Sequence, residues 1–185
     1  WGQPRTTFSY DPNMIKGYIK RPYDWEFTAG VQREIVSRVS ANFAYFRRTF
    51  GDLTVVDNTL VAASDYDSFC ITAPTDARLP GSVSGSQICG LLDLNPSKLG
   101  KLQQLGTSAK NYGKQIEQWN GFDLALNVRL PKALLQGGLS SGKSLLDNCA
   151  VFAQVPEAGV ANITGVLGGN FCRQQSPMLT QVKLL

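Results

Sequence analysis

Hydrophobic and polar residues alternate along two separated parts of the chain. In the first part, two alternating runs of about ten residues flank a short reversal near Val36 and Ser37, which is the pattern of a β-hairpin. Arg33 is the one charged residue on its apolar side. The hairpin is predicted over about 25–50, with an apolar side formed by Trp25, Phe27, Ala29, Val31, Ile35, Val39, Ala41, Phe43 and Tyr45.

A second alternating block predicts another hairpin over about 119–142. Its first strand alternates clearly, Pro131 and Lys132 form a short turn, and a weaker alternation follows through Leu135 and Leu139. A further strand is predicted at the end of the chain, where Thr180, Val182 and Leu184 alternate with polar residues. The apolar positions of the clearest strand are Phe122, Leu124, Leu126, Val128 and Leu130.

Long polar segments, at about 51–113 and 145–177, follow the two hairpins. Loops longer than about 15 residues without structure are uncommon in compact domains, so these segments are expected to be ordered loops. An even number of widely spaced cysteines indicates two disulfides and an oxidising compartment. Three pairings are possible, and short separation favours Cys70–Cys89 and Cys149–Cys172, each worth about 3 kcal/mol in the loop-entropy description. The cysteines are Cys70, Cys89, Cys149 and Cys172.

Short turns on one side and long cysteine-bearing loops on the other are typical of an outer-membrane β-barrel wall. We therefore expect an all-β fold: antiparallel, membrane-length hairpins of a partial barrel with long disulfide-stapled loops, in a single segment over 1–185. A soluble β-sandwich binding module would show the same alternation, with its apolar side on a core. The side chains expected to face membrane or core are Trp25, Phe27, Val31, Val39, Phe43, Tyr45, Phe122, Leu124, Leu126 and Val128.

Composition limits the chemistry. The net charge is +4 and the basic residues are scattered, which does not predict a nucleic-acid partner. The chain has no histidine, the commonest general base and metal ligand. Glu26, Glu34 and Glu117 are single carboxylates near strand ends. We therefore predict no enzyme activity, no catalytic residue, no cofactor and no metal site.

The segment at 137–144 reads GGLSSGKS and matches the phosphate-binding loop pattern. That loop needs a buried strand before it and a helix after it. Here the segment follows the Pro131 turn inside an alternating run, and no βαβ unit surrounds it. The context predicts a strand, in which glycines allow neighbouring side chains to pack across them.

Four blocks of sequence, at 25–58, 68–81, 88–96 and 118–130, resemble a known family. They are similar to the C-terminal β-barrel region of TonB-dependent-receptor-like outer-membrane proteins, including those with a carboxypeptidase-regulatory-like domain. The resemblance implies transport or surface reception at the outer membrane of a Gram-negative-type bacterium, with the loops outside the cell.

The chain departs from that family in having no plug region and too few strands to close a barrel, which takes at least about 8. Its expected partners are therefore outer-membrane lipid and the remainder of a longer barrel chain, or copies of itself. The alternative function is an extracellular structural subunit that assembles into a filament or oligomer through exposed strand edges.

Overall fold

The structure, a computed structural model, describes residues 7–16, 20–79, 81, 83–159 and 171–185. These residues form mainly antiparallel β-sheets, which confirms the all-β class. Part of the predicted loop at 145–177 lies outside the described residues. The strands are β1 Phe8–Tyr10, β2 Tyr23–Val36, β3 Val39–Gly51, β4 Thr54–Asn58, β5 Tyr66–Thr72, β6 Gln87–Leu94, β7 Gln104–Ser108, β8 Ile116–Leu130, β9 Ala133–Asp147, β10 Arg173–Gln175 and β11 Leu179–Leu184.

Helical segments in the described residues are short. They are α1 (Pro12–Ile15), α2 (Cys149–Phe152) and four 3₁₀ turns at Ala63–Asp65, Pro96–Lys98, Ala109–Asn111 and Pro156–Gly159. Within the described ranges, no helix combines the length and apolar content that crossing a bilayer would need.

The chain divides into two compact units. The first, which we call the long-strand unit, comprises Pro22–Gly51, Ile116–Asp147 and Gln174–Leu185. The second, which we call the loop unit, comprises Trp1–Arg21, Asp52–Gln115 and Asn148–Arg173.

The long-strand unit is built on four neighbouring antiparallel strands in the order β9-β8-β3-β2, and β11 pairs with the far side of β9. Strands β2, β3, β8 and β9 contain 14, 13, 15 and 15 residues and extend beyond the predicted hairpin bounds. Two-residue turns at 37–38 and 131–132 close the hairpins. In the first turn Arg38 has a φ of 70°, and its backbone N–H donates to Glu34 Oε1 at 2.9 Å.

The loop unit contains two small sheets, β1-β7-β4 and β5-β6. The disulfide Cys70–Cys89 joins β5 to β6, and Cys149–Cys172 joins α2 to the start of the C-terminal segment. The β5–β6 register shifts beside Cys70, and Gly90 on the facing strand has a φ of 78°. This left-handed conformation at a β-bulge favours glycine because a Cβ atom would strain it.

The buried apolar side chains of the described residues all belong to the loop unit. Its central cluster consists of Val55, Ala109, Val151 and Val155. The long-strand unit has no buried apolar side chain in its described part, and Ser141 is its one buried polar side chain. The loop unit therefore has a core of its own. The other buried apolar residues are Val61, Ala73, Leu91 and Phe152.

Tyrosine–carboxylate hydrogen bonds connect strands of the loop unit to its 3₁₀ turns. Tyr112 donates to Asp57 at 2.6 Å, and Tyr66 donates to Glu157 at 3.3 Å. Glu157 also accepts from the backbone N–H of Asn58 at 2.8 Å. Burial and the nearby charge of Glu157 raise the pKa of Tyr66 to about 12. Burial and the hydrogen bond to Asp57 raise the pKa of Tyr112 as well.

The raised tyrosine pKa values predict alkaline unfolding of the loop unit. A tyrosine normally titrates near 10.0, and Tyr66 in the folded unit does so only near 12. The unfolded chain therefore releases its proton first, so this stabilising contribution is complete below about pH 10 and is lost as the pH rises through about 12. We expect the free energy of unfolding, measured by urea titration at several pH values, to fall across this range.

The variants Tyr66→Phe and Tyr10→Phe test the cause. Tyr66→Phe removes the titrating hydroxyl, so its free energy of unfolding should fall less steeply with pH, after a loss of about 1 kcal/mol at neutral pH for the missing hydrogen bond. Tyr10 is 60% exposed and serves as the matched control. An unchanged alkaline slope in Tyr66→Phe would contradict the assignment.

Candidate functional site

The register of the long strands assigns each of their side chains to one of two faces. Residues that pair directly across strands point to the same side, and successive residues alternate. Val39 pairs with Val128, and Phe43 pairs with both Val31 and Leu124. The other predicted positions are an even number of residues away from these on the same strands, so they point to the same side. All ten predicted side chains therefore lie on one face, which we call the apolar face: Trp25, Phe27, Val31, Val39, Phe43, Tyr45, Phe122, Leu124, Leu126 and Val128.

The apolar face is open to its surroundings. Trp25 is 71% exposed and Val31 is 63% exposed, although both are large apolar side chains. A groove of about 320 Å³ runs between β8, β9 and β11, and its lining includes Leu126, Leu139 and Val182. Exposed contiguous apolar surface is typical of regions that interact with other proteins, membranes or ligands.

Charge is divided between the two faces. Of the six carboxylates on β2, β3, β8 and β9, five lie on the opposite face, which we call the polar face, and Asp147 at the end of β9 is the exception. The apolar face instead carries Arg33, Arg47 and Lys143. The carboxylates of the polar face are Asp24, Glu26, Glu34, Glu117 and Asp123.

Two of the cations on the apolar face lie in one cross-strand row, Phe27–Arg47–Asn120–Lys143, which we call the basic row. It is one pleat repeat beyond the Tyr45–Phe122 pair, a step of about 7 Å along the strands. Arg47 and Lys143 are two strands apart, or about 10 Å. The basic row thus lies near the loop-side ends of the long strands, between the Tyr45–Phe122 pair and the row that contains Trp25.

The polar face contains a cavity of about 480 Å³, which we call the Trp119 pocket. Four strands contribute to it because β2, β3, β8 and β9 place side chains of the same parity beside one another. Its volume is within the range of about 300–1,000 Å³ that is usual for small-molecule sites. Its lining includes Trp119, Glu26, Arg48, Phe46, Phe50 and Asp123.

Trp119 lies against the backbone of two glycines. A Cβ atom at Gly121 would come within 2.3 Å of Cη2 of its indole ring, and one at Gly142 within 2.6 Å of its Cζ2. The ring therefore occupies the space that side chains at these paired positions would fill. One side of the indole is packed on the sheet, and Trp119 remains 38% exposed.

Arg48 is held by two partners at the side of the pocket. Its Nε donates to Asp24 Oδ2 at 2.7 Å, and its Nη2 forms an ion pair with the same oxygen. The guanidinium also lies 5.1 Å from the ring centre of Phe50, a cation–π contact. The positive charge of Arg48 is thus compensated by Asp24.

The carboxylates of Glu26 and Asp123 have no such compensation. Neither forms an ion pair or side-chain hydrogen bond with another residue in the part of the chain that the structure describes. Glu26 is the cross-strand neighbour of Arg48, which is occupied by Asp24, and Asp123 is paired with Ser140. The pocket therefore combines an exposed aromatic surface with two unpaired negative charges.

The segment that matches a phosphate-binding loop lies inside β9. Residues 137–144 are extended and pair with both β8 and β11, as the alternation predicted. Their backbone N–H groups therefore serve the sheet and do not converge on a phosphate. Among the described residues, no group of three or more His, Cys, Asp or Glu side chains is arranged to hold a metal ion.

Sequence reasoning did not find the Trp119 pocket. The sequence presents Glu26 as a single carboxylate near a strand end and does not relate it to Trp119 or Phe46. The register instead places Trp119 and Phe46 on the polar face and Trp25 and Tyr45 on the apolar face. The alternation of side chains along the strand could have shown this, because Trp119 is an odd number of residues from the apolar positions Phe122, Leu124, Leu126 and Val128 and therefore points to the opposite face.

Comparisons with known protein families, curated proteins and solved structures find no match to this chain.

The contact of Trp119 with Gly142 predicts the effect of a single added methyl group. In Gly142→Ala the new Cβ would overlap the indole, so Trp119 must move away from the sheet. We expect a loss of about 1–3 kcal/mol in the free energy of unfolding, as for other overpacked positions, together with a change in Trp119 emission.

Gly138→Ala is the matched control on the same face of the same strand. Its Cβ would meet the carbonyl oxygen of Leu124 at 3.3 Å and would not touch an aromatic ring. It should leave the emission spectrum unchanged. Equal spectral changes in the two variants would show that Trp119 does not lie on Gly142.

Proposed function

We propose that this chain is a wall segment of an outer-membrane, TonB-dependent-receptor-like β-barrel that takes part in transport or surface reception. The supporting observation is a sheet of four long strands whose described part buries no apolar side chain, while large apolar side chains are concentrated on one face and many of them are exposed. In a bilayer this face contacts acyl chains, and the polar face lines the lumen. Localisation in the outer membrane of a Gram-negative-type bacterium, with the disulfide-linked loops extracellular, follows from the same proposal.

Strand length supports a membrane location. A transmembrane β-strand needs about 9–11 residues when tilted, and each of the four long strands exceeds that length. The connections are also unequal, with two-residue turns at one end of the hairpins and the segments of the loop unit at the other. Barrels of the outer membrane place short turns in the periplasm and long loops outside.

The edge of the sheet defines the partner that this proposal requires. The outer edge of β2 pairs with no strand among the described residues. An unpaired edge of 14 residues is a site for strand addition. In a barrel, the remainder of a longer chain provides the neighbouring strand.

The same edge favours the second candidate function, an extracellular structural subunit that assembles through strand addition. In that case copies of the chain cover both the β2 edge and the apolar face. The two functions differ in what happens without lipid: a subunit of this kind forms filaments or oligomers in water, whereas a barrel segment needs detergent or a bilayer.

Tryptophan quenching in vesicles tests the proposed membrane location. Single-tryptophan variants that keep only Trp25 or only Trp119 are refolded with phosphatidylcholine vesicles. The Trp25 variant should be quenched by lipids brominated near the head group because Trp25 lies on the apolar face. The Trp119 variant should respond mainly to aqueous acrylamide. Quenching of both by acrylamide alone, or detergent-free oligomers without lipid binding, would contradict the proposal.

The basic row predicts a dependence on lipid charge. Arg47 and Lys143 lie next to the row of Trp25, which this proposal places at the level of the lipid head groups, so phosphates of anionic lipids would lie close to them. Each basic residue near such a surface contributes about 1 kcal/mol, so Arg47→Gln with Lys143→Gln should weaken binding to phosphatidylglycerol-containing vesicles by roughly 30-fold. Binding is measured by flotation at low salt.

Arg129→Gln with Lys183→Gln is the control, because it removes the same charge from the polar face. This variant should bind the vesicles as the unchanged chain does. An equal loss in both double variants would mean that net charge matters and the position of the basic row does not.

A further inference from the structure

We propose that the Trp119 pocket binds a small organic cation whose charged centre is surrounded by apolar groups, such as a quaternary ammonium ion. This inference deepens the proposed function because it names the ligand class for reception or transport. It rests on three features of the described residues: an exposed aromatic ring fixed on the sheet, two uncompensated carboxylates beside it, and a cavity of about 480 Å³.

The aromatic surface is positioned before any ligand arrives. Because Trp119 is packed on Gly121 and Gly142, one side of its ring is held by the backbone and the other is available to a ligand. A cation within about 6 Å of an indole ring centre is attracted by the negative face of the ring, and tryptophan is the best aromatic residue for this contact. Phe46 and Phe50 add apolar lining for the methyl groups of such a cation.

The charges of the pocket select the sign of the ligand. Arg48 is compensated by Asp24, whereas Glu26 and Asp123 are unpaired in the described part of the chain. The four charged side chains here, Asp24, Glu26, Arg48 and Asp123, thus leave an excess of two negative charges. An anionic ligand would meet repulsion from Glu26 and Asp123, and a neutral sugar would gain nothing from their charge.

The size of the cavity also fits a cation of this kind. A quaternary ammonium ion is weakly hydrated and carries its charge over several methyl groups, so it enters an aromatic site at lower desolvation cost than a primary ammonium. Recognition of such ions by aromatic cages uses the same attraction between the cation and the faces of aromatic rings. A small polar ion would leave much of the apolar lining uncovered.

The test is a binding titration followed through Trp119. The full chain carrying Trp1→Phe and Trp25→Phe is held in neutral polyoxyethylene micelles, which contain neither sugar nor charge. Choline is compared with 3,3-dimethylbutan-1-ol, which has the same shape without the charge, and with cellobiose. We expect saturable quenching by choline and binding of the neutral alcohol that is at least about tenfold weaker.

Two charge variants locate the site. Glu26→Gln with Asp123→Asn should weaken choline binding by at least about tenfold, because the loss of two nearby charges removes most of the electrostatic attraction. Asp67→Asn with Asp93→Asn is the matched control: it removes two carboxylates that pair with each other across β5 and β6 in the loop unit. This control should keep the affinity for choline.

Four outcomes would overturn the inference: no saturable binding of choline, equal binding of choline and the neutral alcohol, preferred binding of cellobiose, or an equal loss of affinity in the two charge variants. Vesicle quenching reports separately on the membrane proposal. Choline binding by a chain that does not enter vesicles would support the ligand inference and contradict the barrel role. Vesicle insertion without choline binding would support the barrel role and contradict the ligand inference.

Discussion

The cross-strand register of β2, β3, β8 and β9 is the constraint on which the rest of the long-strand unit depends. A slip of one residue in any pair would exchange the two faces of that strand. The register is fixed at one end by the two-residue turns at 37–38 and 131–132. Further along the strands, aromatic rings occupy the space above glycines, Trp119 over Gly121 and Gly142, and Tyr23 over Gly51. These contacts exist in one register only, so they stabilise the separation of apolar and polar faces.

The two units are held by different forces. The loop unit has a buried cluster around Val151 and Val155, two disulfides and hydrogen-bonded tyrosines, which together resemble the interior of a small water-soluble domain. The long-strand unit depends on backbone hydrogen bonds between strands and on cross-strand contacts. In the described residues its apolar side chains remain unburied, so this unit lacks the internal burial that normally stabilises a sheet.

Alternation predicted the two hairpins because Phe122–Leu130 and its counterpart around Phe43 keep a strict period of two. The strands of the loop unit were not predicted. β4 and β7 have five residues each, too few for a period to be distinguished from the turns that flank them. The Trp119 pocket was also missed, because Glu26 and Asp123 come from different hairpins and are brought to one cavity only by the β2–β3 and β3–β8 registers. The sequence of one strand shows which of its residues share a face. A site formed by four strands can be located only when the register between those strands is also known.

The location of the buried core has a consequence for how the sequence is able to vary. Ala109 is 2% exposed and packed on all sides, so replacement by a larger residue would force its neighbours apart. Trp25 and Val31 have open space around them, so we expect these positions to require an apolar residue but to tolerate residues of different volume. Related sequences should therefore keep the size of residues in the loop-unit core while exchanging Leu, Val, Phe and Trp freely along the apolar face. The exposed sheet, despite its length, would diverge faster than the small unit that its loops build.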